Sequence, residues 1–256
     1  KYIYFGTPDF AADVLQELIN ADMPPVAVVT NPDRPSGRKK IITPPAVKEL
    51  VGQSIPVLQP EELDQSFAQQ LESFDADVFV LAAYGKILPK WVVEMPTKGM
   101  VGVHPSLLPK YRGATPIQSV IMAGEKETGT SLFVIDEEVD HGPILNQEKL
   151  LIEDTDTYTS LSDKLAKLSG RLLIKTLPEY VKEEIAPHVQ DHDQATLTNK
   201  FQTEDAEVDL EKDDPITIWR KVRALNPEPG AYAFKDGKRM KILEVELKND
   251  QLILKK

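Results

Sequence analysis

The chain has no cysteine among its 256 residues. That absence excludes a disulfide framework, a thiolate nucleophile and a cysteine-ligated zinc site. Long apolar runs are missing as well, because no unbroken stretch approaches the roughly 20 residues that a membrane-spanning helix needs. No apolar leader with a basic flank precedes the first apolar run of strand length. Together these absences predict a cytoplasmic globular protein that does not enter a membrane.

An excess of positive charge is also lacking, since 30 lysines and arginines face 41 aspartates and glutamates and the net charge is −11. This balance argues against binding nucleic acid over the whole surface, because phosphate neutralisation needs clustered cations. One cluster does exist, in a stretch rich in proline and glycine: Arg34, Arg38, Lys39 and Lys40. On charge alone, this stretch is either a phosphate-contacting loop or a solvated surface loop.

Apolar runs of strand length alternate with helical patterns along most of the chain. The predicted strands are rich in β-branched residues and cover residues 2–5, 26–30, 78–82 and 100–104. Because these runs are apolar on both faces, they favour a parallel sheet covered by helices. We therefore predict an α/β fold with a Rossmann-like, doubly wound, mostly parallel sheet. Ligands bind beyond the carboxyl ends of such strands, which places the site near Gly6, Ala83 and His104.

The periodic pattern is interrupted once, by a polar and acidic stretch that we predict to be a linker at residues 184–200. Residues 1–183 before it form the predicted catalytic domain. Residues 201–256 after it contain short strands and a hairpin turn signal at 236–237, which predicts a small β-rich domain. His188 and His192 lie in the linker without metal-ligand spacing, so we interpret them as solvated and assign no metal site.

A histidine at the end of a buried strand is a candidate for chemistry. His104 ends the predicted strand 100–104 and precedes a loop bracketed by prolines, which is where an α/β sheet displays reactive groups. An acidic turn at residues 136–141 follows later in the chain, and it supplies a carboxylate to the imidazole if the two loops meet. From position alone, a structural histidine and an acidic surface turn are equally open interpretations.

A longer pattern surrounds this histidine. Residues 104–118 resemble the signature of the folate-dependent formyltransferases, and the ending at 112–118 resembles the methionyl-tRNA formyltransferase family most closely. Further segments agree in order, namely residues 5–11, 31–38, 83–89 and 223–227. The resemblance covers nearly the whole chain. It implies that the second domain is an oligonucleotide-binding (OB-like) module, which we expect to be incomplete.

The resemblance implies transfer of a formyl group from 10-formyltetrahydrofolate to the amino group of methionyl initiator tRNA, a step of translation initiation. His104 and Asp140 match the family's catalytic histidine and aspartate, whereas the slot of its catalytic asparagine holds Gly102. Loss of one oxyanion donor costs about 100- to 1000-fold in turnover. We therefore expect Gly102→Asn to raise turnover with folate affinity nearly unchanged.

Three explanations of Gly102 stay open. They are a substitution made to trap a complex, a natural protein that has lost or changed its chemistry, and a compensating donor such as water, Ser106 or a backbone amide.

The resemblance also implies binding surfaces. Folate is expected to contact two loops, which contribute Ser106, Leu107, Leu108 and Pro109, and Tyr84, Gly85, Ile87 and Leu88. The tRNA is expected to meet two sets of cations. Arg34, Arg38, Lys39 and Lys40 in the first domain are expected at its acceptor end, and Arg220 and Arg223 belong to a basic face of the second domain. Phosphate contacts of this kind position a nucleic acid without reading its sequence. We expect a monomer.

Rival functions follow from the same residues. A formyltransferase acting on a nucleotide-linked amino sugar would use the same histidine and aspartate on another acceptor. A formyltetrahydrofolate hydrolase would carry a different accessory domain. A non-catalytic folate- or tRNA-binding protein stays open because of Gly102. The basic stretch and the match in the second domain favour tRNA.

Overall fold

The computed structural model describes residues 1–37, 39–249 and 251–255. Arg38, one of the cations expected to contact tRNA, lies outside these described residues. No described helix is both long and apolar enough to cross a membrane. In the same part of the chain, no three or more histidine, aspartate or glutamate side chains gather in an arrangement that holds a metal ion.

Strands and helices alternate through the first two thirds of the chain. The described strands are β1 (Tyr2–Gly6), β2 (Ala27–Val29), β3 (Arg34–Ser36), β4 (Ile41–Thr43), β5 (Val57–Leu58), β6 (Val78–Ala82), β7 (Met100–His104), β8 (Arg112–Gly113), β9 (Glu127–Val134), β10 (Ile144–Leu151), β11 (Leu197–Thr198), β12 (Tyr232–Lys235), β13 (Lys238–Lys241), β14 (Val245–Lys248) and β15 (Gln251–Leu254). The described helices are α1 (Asp9–Asn20), α2 (Ala46–Val51), α3 (Gln65–Glu72), α4 (Lys90–Glu94), α5 (Pro116–Ala123), α6 (Tyr158–Val181) and α7 (Pro215–Leu225).

Seven of these strands form the central sheet, in the order β10-β9-β7-β6-β1-β2-β5. Strands β5, β2, β1, β6 and β7 run parallel, which confirms the predicted sheet. Strands β9 and β10 were not predicted, and they join antiparallel to β7 and to each other. Only two of the eight residues of β10 are buried, so it lacks the apolar run that marked the other strands. An antiparallel edge on a parallel sheet is common.

Helix α6 packs against α1 on one face of the sheet and fixes one side of the site. Its leucine stripe is buried, at Leu161, Leu165, Leu168, Leu172 and Leu173. Full burial of a leucine side chain stabilises a fold by about 1.5–3 kcal/mol. A reciprocal capping box between Thr157 and Ser160 defines where the helix begins. The first turn of α6 is therefore held firmly where the cavity described below needs it.

The C-terminal region is small and β-rich, as predicted. It consists of two antiparallel hairpins, β12 with β13 and β14 with β15, which pair within themselves. Asp236 and Gly237 form the first hairpin turn with φ angles of 51° and 71°, the left-handed conformation that a tight hairpin turn requires. Val222 of α7 packs with apolar residues of these hairpins in a separate small core. The described strands of this region do not close into a barrel.

Candidate active site

Strands β1, β6 and β7 end side by side at one rim of the sheet. A cavity of about 750 Å³ opens there, at the carboxyl ends where α/β sheets bind ligands. Gly6 is required at the end of β1, because an added Cβ would lie 2.7 Å from the Cβ of Ala11. The cavity is lined from several elements, among them Thr7, Phe10, Asn31, Leu81, Tyr84, Val103, His104, Ile117, Asp140 and Tyr158.

His104 and Asp140 come together at the wall of this cavity. Nδ1 of His104 lies 3.4 Å from Oδ2 of Asp140, and Nε2 of the same ring lies 2.8 Å from the carbonyl oxygen of Tyr111. The backbone N–H of Gly113 donates to Oδ2 of Asp140 at 2.7 Å. Both ring nitrogens thus face oxygen acceptors. The geometry presents a hydrogen-bond donor paired with a carboxylate.

Asp140 adopts a backbone conformation that aims its carboxylate. Its φ angle is 51°, in the left-handed region that non-glycine residues rarely occupy. Such a conformation costs on the order of 1–3 kcal/mol and persists only where the surrounding structure enforces it. The carboxylate is half-buried beside the nearly fully buried imidazole of His104.

Gly102 stands two residues before His104, opposite Phe133 of β9 in the sheet register. A Cβ added at Gly102 would lie 2.5 Å from Cε1 and 2.6 Å from Cζ of Phe133, and 3.1 Å from Cγ1 of Ile135. The Phe133 ring therefore fills the space into which a side chain at position 102 would extend. An asparagine here requires the ring to move, so we expect Gly102→Asn to raise turnover only where Phe133 gives way, and the effect of the substitution stays a prediction.

The loop expected to contact folate lies outside the cavity lining. Ser106 is buried and donates its hydroxyl to the carbonyl of Lys110, while Leu108 is buried against Phe133. These two side chains hold the loop in shape, and any contact of this part of the loop with folate stays a prediction. Leu107 and Pro109 are half-buried, and their contact with folate stays a prediction.

The second loop expected to bind folate is split between cavity and surface. Tyr84 and Gly85 line the cavity, whereas Leu88 packs against an apolar cluster and Ile87 is 97% exposed on the outside. Burial raises the pKa of the Tyr84 phenol to about 12, so the ring stays neutral at physiological pH. The carbonyl of Tyr84 accepts hydrogen bonds from Asn31 Nδ2 at 2.9 Å and Thr7 Oγ1 at 3.0 Å.

Comparisons with known proteins agree with this geometry. A family model described as Formyl transferase matches residues 1–177, and one described as Formyl transferase, C-terminal domain, matches residues 200–253. The methionyl-tRNA formyltransferase of Halalkalibacterium halodurans is 44% identical over 244 residues, which cover 94% of this chain and 77% of that protein. That of Chloroflexus aurantiacus is 41% identical, covering 95% and 79%. This chain belongs to the methionyl-tRNA formyltransferase family.

Solved structures share the fold at low identity. The methionyl-tRNA formyltransferase from Clostridium thermocellum superposes with a TM-score of 0.66 at 17% identity, over 99% of this chain and 96% of that one. HypX from Aquifex aeolicus, in complex with tetrahydrofolic acid, gives 0.72 at 17% identity, over 96% of this chain and 37% of that one. An N-formyltransferase from Helicobacter canadensis, in complex with folinic acid and dTDP-3-aminofucose, gives 0.70 at 20% identity, over 97% and 88%. Identities this low establish the fold alone.

The cations expected to contact tRNA fall into two groups in the structure. Arg34, Lys39 and Lys40 are exposed on or beside the β3–β4 hairpin, and Arg34 lies 3.5 Å from Glu61 across the surface. The exposed cations are positioned to meet a phosphate, and that role stays a prediction.

The two arginines of α7 are placed differently. Arg223 is buried, stacks 4.1 Å over the Trp219 ring and donates to the carbonyls of Asp156 and Glu153 at 2.6 and 2.9 Å. Arg220 is half-buried, with its guanidinium against Gly124 at the end of α5. Both guanidinium groups lie in contacts between α7 and the first domain that were not predicted, and a contact of either group with tRNA stays a prediction.

Sequence reasoning missed several residues of the rim. Asn31 and Thr7 lie in segments that carry the family resemblance, but neither was singled out. Oδ1 of Asn31 is buried without a hydrogen-bond partner among the described residues, which marks an acceptor that a ligand N–H can satisfy. Tyr158 belongs to the first turn of α6, whose pattern indicated only core packing, and no sequence signal distinguished it.

Proposed function

We propose that this chain transfers a formyl group from 10-formyltetrahydrofolate to the α-amine of methionine on initiator tRNA. The approach of His104 to Asp140, with Nδ1 3.4 Å from Oδ2 at the cavity wall, is the observation that supports this most. Membership of the methionyl-tRNA formyltransferase family supplies the reaction class. The proposal assigns roles to residues of this chain on the basis of that geometry.

10-Formyltetrahydrofolate supplies an electrophilic formyl carbon attached to a nitrogen that leaves. His104 stabilises the negative charge that develops on the formyl oxygen when the amine attacks. Its Nδ1 is suited to that role, because 3.4 Å to Asp140 is longer than the roughly 2.7–3.2 Å of an ordinary N–H···O hydrogen bond. The Nδ1–H is therefore available to an oxygen in the cavity.

Asp140 accepts the proton of the attacking amine and returns it to the leaving nitrogen. The attacking amine must lose a proton and the departing nitrogen must gain one, so a single carboxylate that accepts and then returns the proton balances the reaction. Asp140 lines the cavity and is held by the N–H of Gly113. Its negative charge also holds the neighbouring imidazole in the orientation that donates to the substrate oxygen.

Gly102 and Phe133 are expected to limit the rate of formyl transfer. The family's asparagine would supply a second donor to the same oxygen, but Phe133 fills its position. A second donor then has to come from water, a backbone N–H or another side chain that lines the cavity. We expect turnover about 100- to 1000-fold below that of a relative that retains the asparagine, unless such a donor compensates.

The cavity has the character of a site for a flat, partly polar ring. Its walls include the apolar side chains of Leu81, Val103 and Ile117, and its volume of about 750 Å³ lies within the roughly 300–1,000 Å³ of small-molecule sites. The buried Asn31 Oδ1 offers an acceptor to a ligand N–H. These features suit a reduced folate.

The best rival is transfer to a nucleotide-linked amino sugar. The Helicobacter canadensis structure shows that this fold can hold such an acceptor. In the present chain, the exposed cations of the β3–β4 hairpin and the match to the C-terminal formyltransferase domain favour tRNA.

The test supplies the full chain with 10-formyltetrahydrofolate and one of three acceptors: methionyl initiator tRNA, methionyl elongator tRNA or a dTDP-linked amino sugar. We expect formyl transfer to the initiator tRNA at the highest kcat/KM. Preferred transfer to the sugar would overturn the tRNA assignment. Binding of both folate and tRNA without transfer to any acceptor would support the non-catalytic alternative.

A further inference from the structure

We propose that residues 188–198, which join the two domains, form a brace that holds the His104–Asp140 pair in its working geometry. Within this brace, Gln190 and Thr196 are positioning residues: neither touches the cavity, and both act through the partners of the pair. The inference rests on the proposed function for its activity readout, but its geometric basis is separate.

Gln190 is the first anchor. Only 4% of it is exposed, although it belongs to a polar, acidic segment. Its amide nitrogen donates to the carbonyls of Asp140 at 3.0 Å and Gly142 at 2.7 Å. Its amide oxygen accepts from Nη2 and Nε of Arg112 at 2.6 and 3.2 Å. One side chain therefore ties the linker to both loops that meet at the site.

Arg112 is also buried, with 6% exposed. A buried guanidinium is stable only where its donors are satisfied. Besides Gln190, its Nη2 donates to Nδ1 of His192 at 2.9 Å, and the His192 ring stacks 4.1 Å from that of His141. His192 was interpreted as merely solvated; it is exposed, but it packs on the turn that holds Asp140.

Thr196 is the second anchor, on the opposite side of the pair. Its hydroxyl oxygen accepts from the backbone N–H of Tyr111 at 2.8 Å, and its carbonyl accepts from that of Arg112 at 2.9 Å. The carbonyl of Tyr111 is the partner of His104 Nε2. Immediately afterwards, β11 pairs in parallel with β8, which places Thr198 beside Gly113.

The brace bonds to the segment that supplies the backbone partners of both His104 and Asp140. Tyr111 meets the imidazole, Gly113 meets the carboxylate, and the brace bonds to the segment that carries both. Asp140 needs this support in particular, since its left-handed backbone is stable only when its surroundings enforce it. Gln190 bonds the carbonyls on both sides of this turn. Without it we expect the turn to relax and the carboxylate to move away from His104.

Gln190→Glu is the sharpest test. The change preserves size and keeps an acceptor for Arg112, but it removes the N–H that donates to the carbonyls of Asp140 and Gly142. The matched control is Asn146→Asp, which removes an amide donor to Thr176 in the same domain and touches no residue of the cavity. Both variants are compared with the wild-type chain in formyl transfer and in thermal unfolding.

We expect Gln190→Glu to lower kcat about 10- to 100-fold, since a displacement of about 1 Å costs that much, with KM for folate and tRNA within about twofold of wild type. Asn146→Asp should lower the unfolding temperature without lowering kcat. Equal kcat for Gln190→Glu and wild type, or equal losses in the two variants, would overturn the inference.

A spectroscopic readout keeps this test separate from the proposed function. The chain has only four histidines, so imidazole ¹⁵N and ¹H resonances can be resolved by NMR and that of His104 assigned by its loss in His104→Gln. We expect the His104 resonance to shift in Asp140→Asn and Gln190→Glu, and not in Asn146→Asp. An unmoved resonance in Gln190→Glu would overturn the inference even if the chain transfers no formyl group.

Thr196→Val provides a second variant should Gln190→Glu not fold. Thr196 is exposed, so the change preserves the core and removes only the hydroxyl that accepts from Tyr111. The His104 resonance should shift through the Nε2 side of the ring. A chain that keeps the wild-type resonance and kcat after this change would contradict the brace.

Discussion

The rim of the sheet and the β3–β4 hairpin hold their charged groups in opposite ways. At the rim, His104 and Asp140 are largely buried, and each is bonded to a backbone group of residues 111–113. On the hairpin, Lys39 and Lys40 are exposed. Formyl transfer requires groups fixed to within a fraction of an ångström, whereas phosphate attraction acts over longer distances and needs only accessible cations. On the proposed function, we therefore expect the first region to carry the chemistry and the second to contact tRNA.

The largest effect on kcat is expected from a substitution at the rim of the sheet. Asp140→Asn should lower kcat about 100- to 10,000-fold, the usual range for loss of a general acid–base group, with little change in KM for either substrate. Steady-state formyl transfer to methionyl initiator tRNA measures it. Glu138→Gln removes the same charge from the same acidic turn, where the side chain is 75% exposed, and should have nearly wild-type kcat. Similar losses of kcat in Asp140→Asn and Glu138→Gln would mean that the net charge of the turn, and not the position of Asp140, determines the rate.

The second effect concerns the filled slot beside His104. Gly102→Asn should lower the free energy of unfolding by about 1–3 kcal/mol, because it overpacks a filled site, and should not raise kcat. Adding Phe133→Leu, which removes the ring atoms nearest to the new Cβ, should recover stability and raise kcat above that of the Phe133→Leu single variant. Denaturant unfolding and kcat for the four chains complete the cycle. A gain in kcat from Gly102→Asn alone would show that the ring does not block the slot.

The smallest effect is expected on the hairpin. Removing both cations with Lys39→Ala and Lys40→Ala should raise KM for tRNA several-fold and reduce the salt dependence of binding by about one unit of slope per lysine that meets a phosphate. The control is the double variant Lys126→Ala with Lys149→Ala. These two lysines are exposed like Lys39 and Lys40, and each forms an ion pair with an acidic neighbour. Equal salt slopes in the two double variants would remove the hairpin from the tRNA interface.

Much of the fold follows from the chain's own pattern. Apolar runs bounded by glycine and proline predicted β1, β6 and β7, and the rule that ligands bind at the carboxyl ends of parallel strands placed His104 at the site. The acidic turn at residues 136–141 was a candidate from its position, but only the resemblance singled out Asp140 within it, because nothing local shows which carboxylate returns to the imidazole.

The residues whose surroundings were not predicted from the sequence share one physical reason. Arg223 and Lys39 are both cations, and sequence cannot show that one is buried against backbone carbonyls while the other is exposed. Gln190 was overlooked because a polar segment normally indicates solvent, and its burial depends on Arg112, far away in sequence. Phe133 belongs to an apolar strand, and only the register opposite Gly102 reveals its role.

In the proposed reaction, the imidazole at the end of β7 performs formyl transfer although Gly102 holds the slot of the family's asparagine. Single-turnover transfer of labelled formyl from 10-formyltetrahydrofolate to methionyl initiator tRNA, with saturating wild-type chain or His104→Asn, tests it most directly. We predict measurable transfer by the wild-type chain and a rate lowered at least about 100-fold in the variant, with both substrates still bound. Equal rates in the two chains would contradict the account.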